Sequence, residues 1–268
     1  GAYRAPGATQ ATFVIEQAVD ELAQRLGWDP LAFRLQNASD EGDLMPNEQP
    51  WPTIGLRTIL ERMQAHPLWQ QRHSLPPHEG VGIAVGGWPG GVEPCAANVR
   101  LNHDGTLTVT VGSVDITGTS TVLAMIAAAV LEQPLERIRV RTLPTNTAPY
   151  AGMSGGSKIT YTVGAAVQAA AEDARRQLLE IAAQELEAAV EDLELQDGRV
   201  QVRGVPDRFV TFERIAQRSM SFGAPYPPVY GTGRSAITRS SPGFNGQIAH
   251  VRVDPETGDI TVLRLVAI

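Results

Sequence analysis

Apolar positions recur along the chain in two rhythms, and the switches between them mark the elements. Ile15, Ala18, Val19, Leu22, Ala23 and Leu26 follow the i, i+3, i+4 spacing of a helix with a buried face, stopped at Gly27. Asp29-Pro30 is an N-cap followed by proline at the first helical position, which predicts a short second helix over 31–37. Leu56, Ile59, Leu60 and Met63 predict a third, halted before Pro67. Beyond a proline- and histidine-bearing stretch, 82–86 and 96–101 read as strands. The turn His103-Asp104-Gly105-Thr106 then leads into an alternating strand over 107–111. Between the first two strands, 86–91 reads as a glycine-dense loop around Trp88, either lining a pocket or lying as a mobile loop on the surface. Val122, Leu123, Ile126, Ala129 and Val130 stripe a helix, and 138–143 is a strand. Val163, Val167, Ala170, Ala174, Leu178 and Ile181 stripe a helix of about eight turns over 159–188. Asp197-Gly198 is a hairpin signal, 211–218 a short helix, 219–245 an extended segment crossing the surface, and 255–258 the turn of a last hairpin.

The succession strand, helix, strand, loop, helix predicts an α+β (mixed α/β) fold, with small mixed sheets packed against helices and loops gathered at one end. The best internal boundary falls at the Pro-rich stretch before Gly80, giving a helical part over 1–79 and an α/β part over 80–268. The chain starts without a preceding domain and stops inside an apolar strand, the expected signature of a fragment cut from a longer protein.

A chain of 268 residues with 43% hydrophobic and 19% charged residues can bury a substantial core. Its net charge of -7, without Lys/Arg-rich runs, argues against nucleic-acid and anionic-membrane partners. No apolar stretch reaches the length of a membrane span and no signal pattern opens the chain, so a cytoplasmic location is expected, with the periplasm an open alternative. Cys95 is the sole cysteine, which leaves no internal disulfide and no cysteine-based metal or iron–sulfur site. The five histidines never fall at metal-ligand spacing, so a metal has to arrive inside a cofactor.

Candidate chemistry lies where polar, glycine-rich loops run into helices. Gly152-Met153-Ser154-Gly155-Gly156-Ser157-Lys158 precedes the long helix; its glycines allow close approach and Ser154 and Ser157 can cap first-turn amides, the composition of an anion cradle or, read as a motif alone, of a plain glycine-rich turn with a serine N-cap. The segment is not a P-loop, because Ser157 stands where that motif needs its final glycine. Asp115-Ile116-Thr117-Gly118-Thr119-Ser120 is a second cradle, also ahead of an apolar-striped helix.

Ala2-Tyr3-Arg4-Ala5-Pro6-Gly7-Ala8-Thr9-Gln10, then Asp29-Pro30-Leu31-Ala32-Phe33-Arg34-Leu35-Gln36-Asn37, Asp104-Gly105-Thr106, Val114-Asp115-Ile116, Leu143-Pro144-Thr145-Asn146-Thr147 and Gly155-Gly156-Ser157 recur in order through nearly the whole chain. Their ordered combination resembles the molybdenum hydroxylases, the xanthine dehydrogenase and aldehyde oxidase family, in the molybdopterin-binding part of the large subunit. The resemblance implies an oxidoreductase that hydroxylates an aldehyde or N-heterocycle with water-derived oxygen. It implies molybdopterin, in mononucleotide or dinucleotide form, with molybdenum held by the pterin dithiolene and by no protein side chain. It further implies that iron–sulfur clusters and FAD reside on other domains or subunits, which with the rest of the molybdenum subunit and a small-molecule substrate are the partners.

Residue by residue, the resemblance implies that Thr117, Gly118, Thr119, Gly155, Gly156 and Ser157 wrap the cofactor, that Arg4 lies beside the molybdenum centre, and that Tyr3, Pro6 and Trp88 border the substrate channel. Read without it, Arg4 is a surface cation at a chain terminus. Ala5 and Pro6 depart from the glycine and side chain that often follow the arginine, and Thr117-Gly118-Thr119 replaces a common Gly-Gln-Gly. The general-base glutamate of the family has no counterpart in these residues, so the isolated chain is expected to be inactive and without cofactor. The alternative is a non-catalytic binding or assembly module with a hydroxylase-derived fold.

Overall fold

The computed structural model describes residues 3–268. In chain order the helices are α1 (Ala8–Arg25), α2 (Pro30–Gln36), α3 (Leu56–Ala65), α4 (Pro67–Gln70), α5 (Thr119–Leu131), α6 (Ile159–Leu186) and α7 (Phe212–Ser219). The strands are β1 (Glu79–Trp88), β2 (Cys95–Leu101), β3 (Leu107–Val111), β4 (Ile138–Thr142), β5 (Leu193–Gln196), β6 (Arg199–Val202), β7 (Val205–Thr211), β8 (Tyr230–Ser235), β9 (Gly243–Val253) and β10 (Ile260–Ala267). The fold is the expected α+β mixture. Among the described residues no helix is long and apolar enough to cross a membrane.

Contacts divide the chain into two compact units, residues 1–90 with 239–268 and residues 91–238. Composition alone drew a line at 79/80. The contacts differ because β1 pairs antiparallel with β9 along its whole length, from Glu79 opposite Arg252 to Trp88 opposite Gly243, and so binds the end of the chain to its beginning.

The first unit is the antiparallel sheet β1-β9-β10 with α1 to α4. Leu31, Leu60, Met63, Leu68, Trp69, Ile83 and Ile248 form its core. Asp29 caps α2 as expected, its Oδ1 accepting from the amides of Leu31 at 3.0 Å and Ala32 at 2.8 Å. The expected buried face of α1 is not the one that packs: Ile15, Leu22 and Leu26 are exposed, and of the stripe only Ala23 is fully buried. The anchoring face is turned and polar. Glu16 accepts from Arg34 Nε at 3.0 Å and from the amide of Val85 at 2.7 Å, tying α1 to α2 and β1. The stretch 86–91 also differs from expectation, since Gly86, Gly87 and Trp88 continue β1; a side chain at Gly87 would strike the ring of Phe244.

The second unit is built on the sheet β4-β3-β2-β8, in which β3 and β4 are parallel and the other pairs antiparallel. Its core runs from Val99, Leu101, Leu107, Val109 and Val111 to Leu123, Ala127 and Leu131 of α5 and Val163, Val167, Ala170, Ala174 and Leu178 of α6. Each large aliphatic side chain so buried contributes about 1.5–3 kcal/mol. A second sheet, β5-β6-β7, turns through the expected hairpin, with Asp197 at φ 44° and Gly198 at φ 84°.

The segment 219–245 does not simply cross the surface: its middle is β8, an edge strand of the main sheet paired to β2. Its sequence hides this because glycine occupies the buried face. A Cβ on Gly231 would lie 2.1 Å from the carbonyl oxygen of Ala170, and one on Gly233 2.1 Å from that of Ala166. The strand therefore packs backbone to backbone against α6, a contact that leaves no hydrophobic signature.

Candidate functional site at the carboxyl ends of β3 and β4

Because β3 and β4 are parallel, the loops that leave them, 112–118 and 143–158, emerge at one edge of the sheet. These loops deliver the N-termini of α5 and α6 to that edge, where open α/β sheets bind ligands. Both sequence cradles therefore leave the sheet at the same edge. The edge is closely packed: Thr142 Oγ1 donates to the carbonyl of Ser113 at 2.9 Å, and a side chain on Gly112 would overlap the carbonyl oxygen of Pro149.

The loop ahead of α6 is held from beneath by a charged latch. Lys158, only 3% exposed, donates from Nζ to the carbonyl of Ala151 at 2.8 Å and pairs with Glu93 Oε2 at 2.9 Å. Tyr150 Oη donates to Glu93 Oε1 at 2.7 Å. The Lys158 ammonium, then the Tyr150 hydroxyl, hold the Glu93 carboxyl below the usual carboxylate range, while the same carboxylate pushes the Tyr150 hydroxyl up. Gly152, at φ 61°, passes so close to Glu93 that a Cβ there would lie 2.1 Å from the carboxylate. On the other side, the amide of Gly91 donates to the carbonyl of Gly156 at 2.5 Å.

The two serines do not cap the helix. Lys158 is the N-cap residue of α6, no side chain accepts from the first turn, and no acidic residue lies in it. Ser157 sits at φ 61°, one residue before the cap, and Ser154 Oγ is buried without a hydrogen-bond partner among the described residues. The Gly155 amide is already used, donating to the carbonyl of Met153 at 3.1 Å. The amides of the first turn, Ile159, Thr160 and Tyr161, lie ahead of the helical ladder and carry the positive end of a 28-residue helix. Lys158 adds no charge there, because Glu93 neutralises it inside the fold.

The start of α5 is built differently. Asp115 Oδ1 accepts from the Ser120 amide at 3.0 Å and from Thr119 Oγ1 at 3.1 Å, so a carboxylate already faces this helix. Thr117 at φ 59° and Gly118 at φ 81° form the exposed rim above it.

Tyr3, Arg4 and Pro6 form the entry to α1 in the first unit, and Trp88 ends β1. Arg4 and Ala5 both adopt positive φ, at 52° and 46°, a conformation that costs non-glycine residues about 1–3 kcal/mol each and concentrates at functional sites. The Arg4 guanidinium lies 5.2 Å from the centre of the Tyr3 ring.

A family profile described as molybdopterin cofactor-binding domain matches residues 59–268, and a second profile of the same description matches residues 1–38. The chain belongs to the molybdopterin cofactor-binding domain family. It is 28% identical over 284 residues to the xanthine dehydrogenase molybdenum-binding subunit of Escherichia coli O157:H7, covering 99% of this chain and 37% of that protein. With the aldehyde oxidoreductase molybdenum-binding subunit PaoC of Escherichia coli (strain K12) it shares 30% identity over 278 residues, 100% of this chain and 36% of the relative. The solved structure of a reconstituted CO dehydrogenase from Oligotropha carboxidovorans superposes with a TM-score of 0.82 at 24% identity, over 97% of this chain and 36% of that one, a likeness of fold. The chain therefore spans little more than a third of the length of these relatives.

For a molybdopterin-binding domain the two helix starts are not equivalent. The α6 end fits an anionic tail, with an uncapped first turn, an unpartnered buried hydroxyl at Ser154 and glycines where the loop approaches closely. The α5 end, faced by Asp115, offers the rim of Thr117 and Gly118 and no unopposed helix charge. Glu93, Tyr150 and Lys158 are the participants that sequence reasoning missed. The one local signal was a lysine closing a glycine- and serine-rich loop, and nothing near it identified Glu93 as its partner.

Proposed function

We propose that this chain carries part of the molybdopterin site of a molybdenum-dependent oxidoreductase of the xanthine dehydrogenase and aldehyde oxidoreductase type, acting on an aldehyde or N-heterocycle. The uncapped start of α6 beside the Gly155-Gly156-Ser157 loop is the observation that carries this reading. In it, the first-turn amides and Ser157 hold the phosphate-bearing tail of the cofactor, in mononucleotide or dinucleotide form. Thr117, Gly118 and Thr119 add hydrogen bonds from the neighbouring loop. When bound, the cofactor supplies the two-electron redox chemistry that delivers a water-derived oxygen to the substrate.

Arg4 is assigned to the molybdenum centre and Tyr3, Pro6 and Trp88 to the substrate channel; the strained backbone at Arg4 and Ala5 supports a functional role for that entry segment. Electrons leave to iron–sulfur and flavin partners on other domains or subunits. Elemental and pterin analysis of the purified full-length protein tests the reading: molybdenum and pterin in equal amounts, with water-dependent oxidation of an aldehyde or purine, are expected. A full-length protein that takes up neither metal nor pterin contradicts it.

A further inference from the structure

The face of the β4-β3-β2-β8 sheet opposite α5 and α6 carries a different chemistry. Register places Tyr230, Arg100, Thr108 and Arg139 in one row across the four strands, and Thr232, Asn98, Thr110 and Arg141 in the next. Arg234, opposite Ala96, follows at the β8 edge. Arg100, Arg139, Arg141 and His103 line a shallow cavity of about 450 Å³ floored by Thr106 and Thr108. Its only carboxylate, Asp104, is turned into the hairpin, where Oδ1 accepts from the Thr106 amide at 3.0 Å and the Thr106 hydroxyl at 2.6 Å.

None of Arg100, Arg139, Arg141 and Arg234 forms an ion pair among the described residues; Arg100 donates from Nη2 to Asn102 Oδ1 at 3.1 Å, a neutral acceptor that leaves its charge unneutralised. This cationic array persists on a chain with 29 acidic and 22 basic residues. Charged side chains on an edge strand can serve merely to prevent edge pairing. That purpose does not account for Arg100, which lies on β2 inside the sheet.

We infer that this face is a docking surface for an extended, carboxylate-rich segment of a partner protein. Guanidinium groups bind carboxylates bidentately, and arginine with tyrosine is the pair of residue types enriched at the energetic centres of interfaces. Arg139 and Arg234 lie three strands and two register rows apart, so at about 4.8 Å per strand and about 3.3 Å per residue they stand roughly 20 Å apart, a span suited to an extended segment and too wide for one small anion. The net charge of the chain disfavours a nucleic acid, whose dense phosphates it would repel.

The test titrates the full-length protein with a fluorescein-labelled deca-glutamate peptide at low ionic strength, with oligothymidylate and pyrophosphate as separate arms. Deca-glutamate is expected to bind, to weaken as salt rises, and to lose about tenfold in affinity in the Arg139→Ser/Arg141→Ser variant. An Arg139→Lys/Arg141→Lys variant, which keeps the charge, retains most of the affinity, and Arg62→Ser/Arg264→Ser, on the other unit, leaves it within about twofold. Absence of binding, equal binding by the Arg139→Ser/Arg141→Ser variant, or tighter binding of oligothymidylate or pyrophosphate than of the peptide overturns the inference.

Discussion

Glu93 and Lys158 meet at 2.9 Å beneath the glycine loop, one from the segment that enters β2 and the other from the cap of α6. A lysine at the mouth of an anion site would ordinarily be assigned to the anion. Here its ammonium is 97% removed from solvent, by the 3% exposure of the residue, and is spent on Glu93 and the carbonyl of Ala151. Its role is to position the loop. Lys158→Met therefore leaves the first-turn amides in place but frees the loop, and the cofactor content of the full-length protein is expected to fall about 10–100-fold, as when supporting residues of a metal site are removed. Elemental analysis checks this.

The same latch gives the fold a pH dependence. The native Glu93 carboxyl titrates below its ordinary value of 4.5, because Lys158 and then Tyr150 favour the charged form. Its stabilisation is thus complete above that value and is lost as pH falls through the lowered native one. Glu79, held down by Arg252, and Asp104, held down by Thr106, act in the same direction. Urea titrations from neutral pH downward are expected to show stability declining below about pH 4.5, with a shallower decline in Glu93→Gln.

Gly152→Ala combines positive φ with a Cβ that would lie 2.1 Å from the Glu93 carboxylate. Backbone strain alone costs about 1–3 kcal/mol, and the displaced carboxylate weakens the latch as well. Chemical denaturation should register at least that loss; an unchanged midpoint would mean the loop does not adopt this path.

The acid ahead of α5 is a structural cap. Asp115→Ala removes the acceptor for the Ser120 amide and the Thr119 hydroxyl, with an expected loss of about 1 kcal/mol in unfolding free energy. Cofactor content should fall less than in Lys158→Met.

Local pattern made several of these features legible. The stripe from Val163 to Ile181, the Asp29-Pro30 cap and the Asp197-Gly198 hairpin each declare themselves within a few residues, because helix period, capping and turn geometry are short-range rules. Illegible features depend on distant partners. The Tyr-Gly-Thr-Gly-Arg-Ser run of β8 carries no hydrophobic alternation, since close approach to α6 replaces side-chain packing. The face of α1 that packs was misassigned because Glu16, a charged residue, is its anchor through Arg34 and Val85. Both glycine loops were visible in the sequence, but the difference between them was not. It rests on where Asp115 and Lys158 point.

The central claim is that the first turn of α6 receives the anionic tail of molybdopterin, and Thr160→Asp tests it most directly. Thr160 is exposed in that turn, where an added carboxylate favours the helix by about 0.3–1 kcal/mol but repels a bound anion. Thermal unfolding and molybdenum-plus-pterin content of the full-length protein are measured together. The account predicts an unfolding temperature equal to or above that of cofactor-stripped wild type, with cofactor content reduced about tenfold or more; full cofactor content in a stably folded Thr160→Asp protein would contradict it.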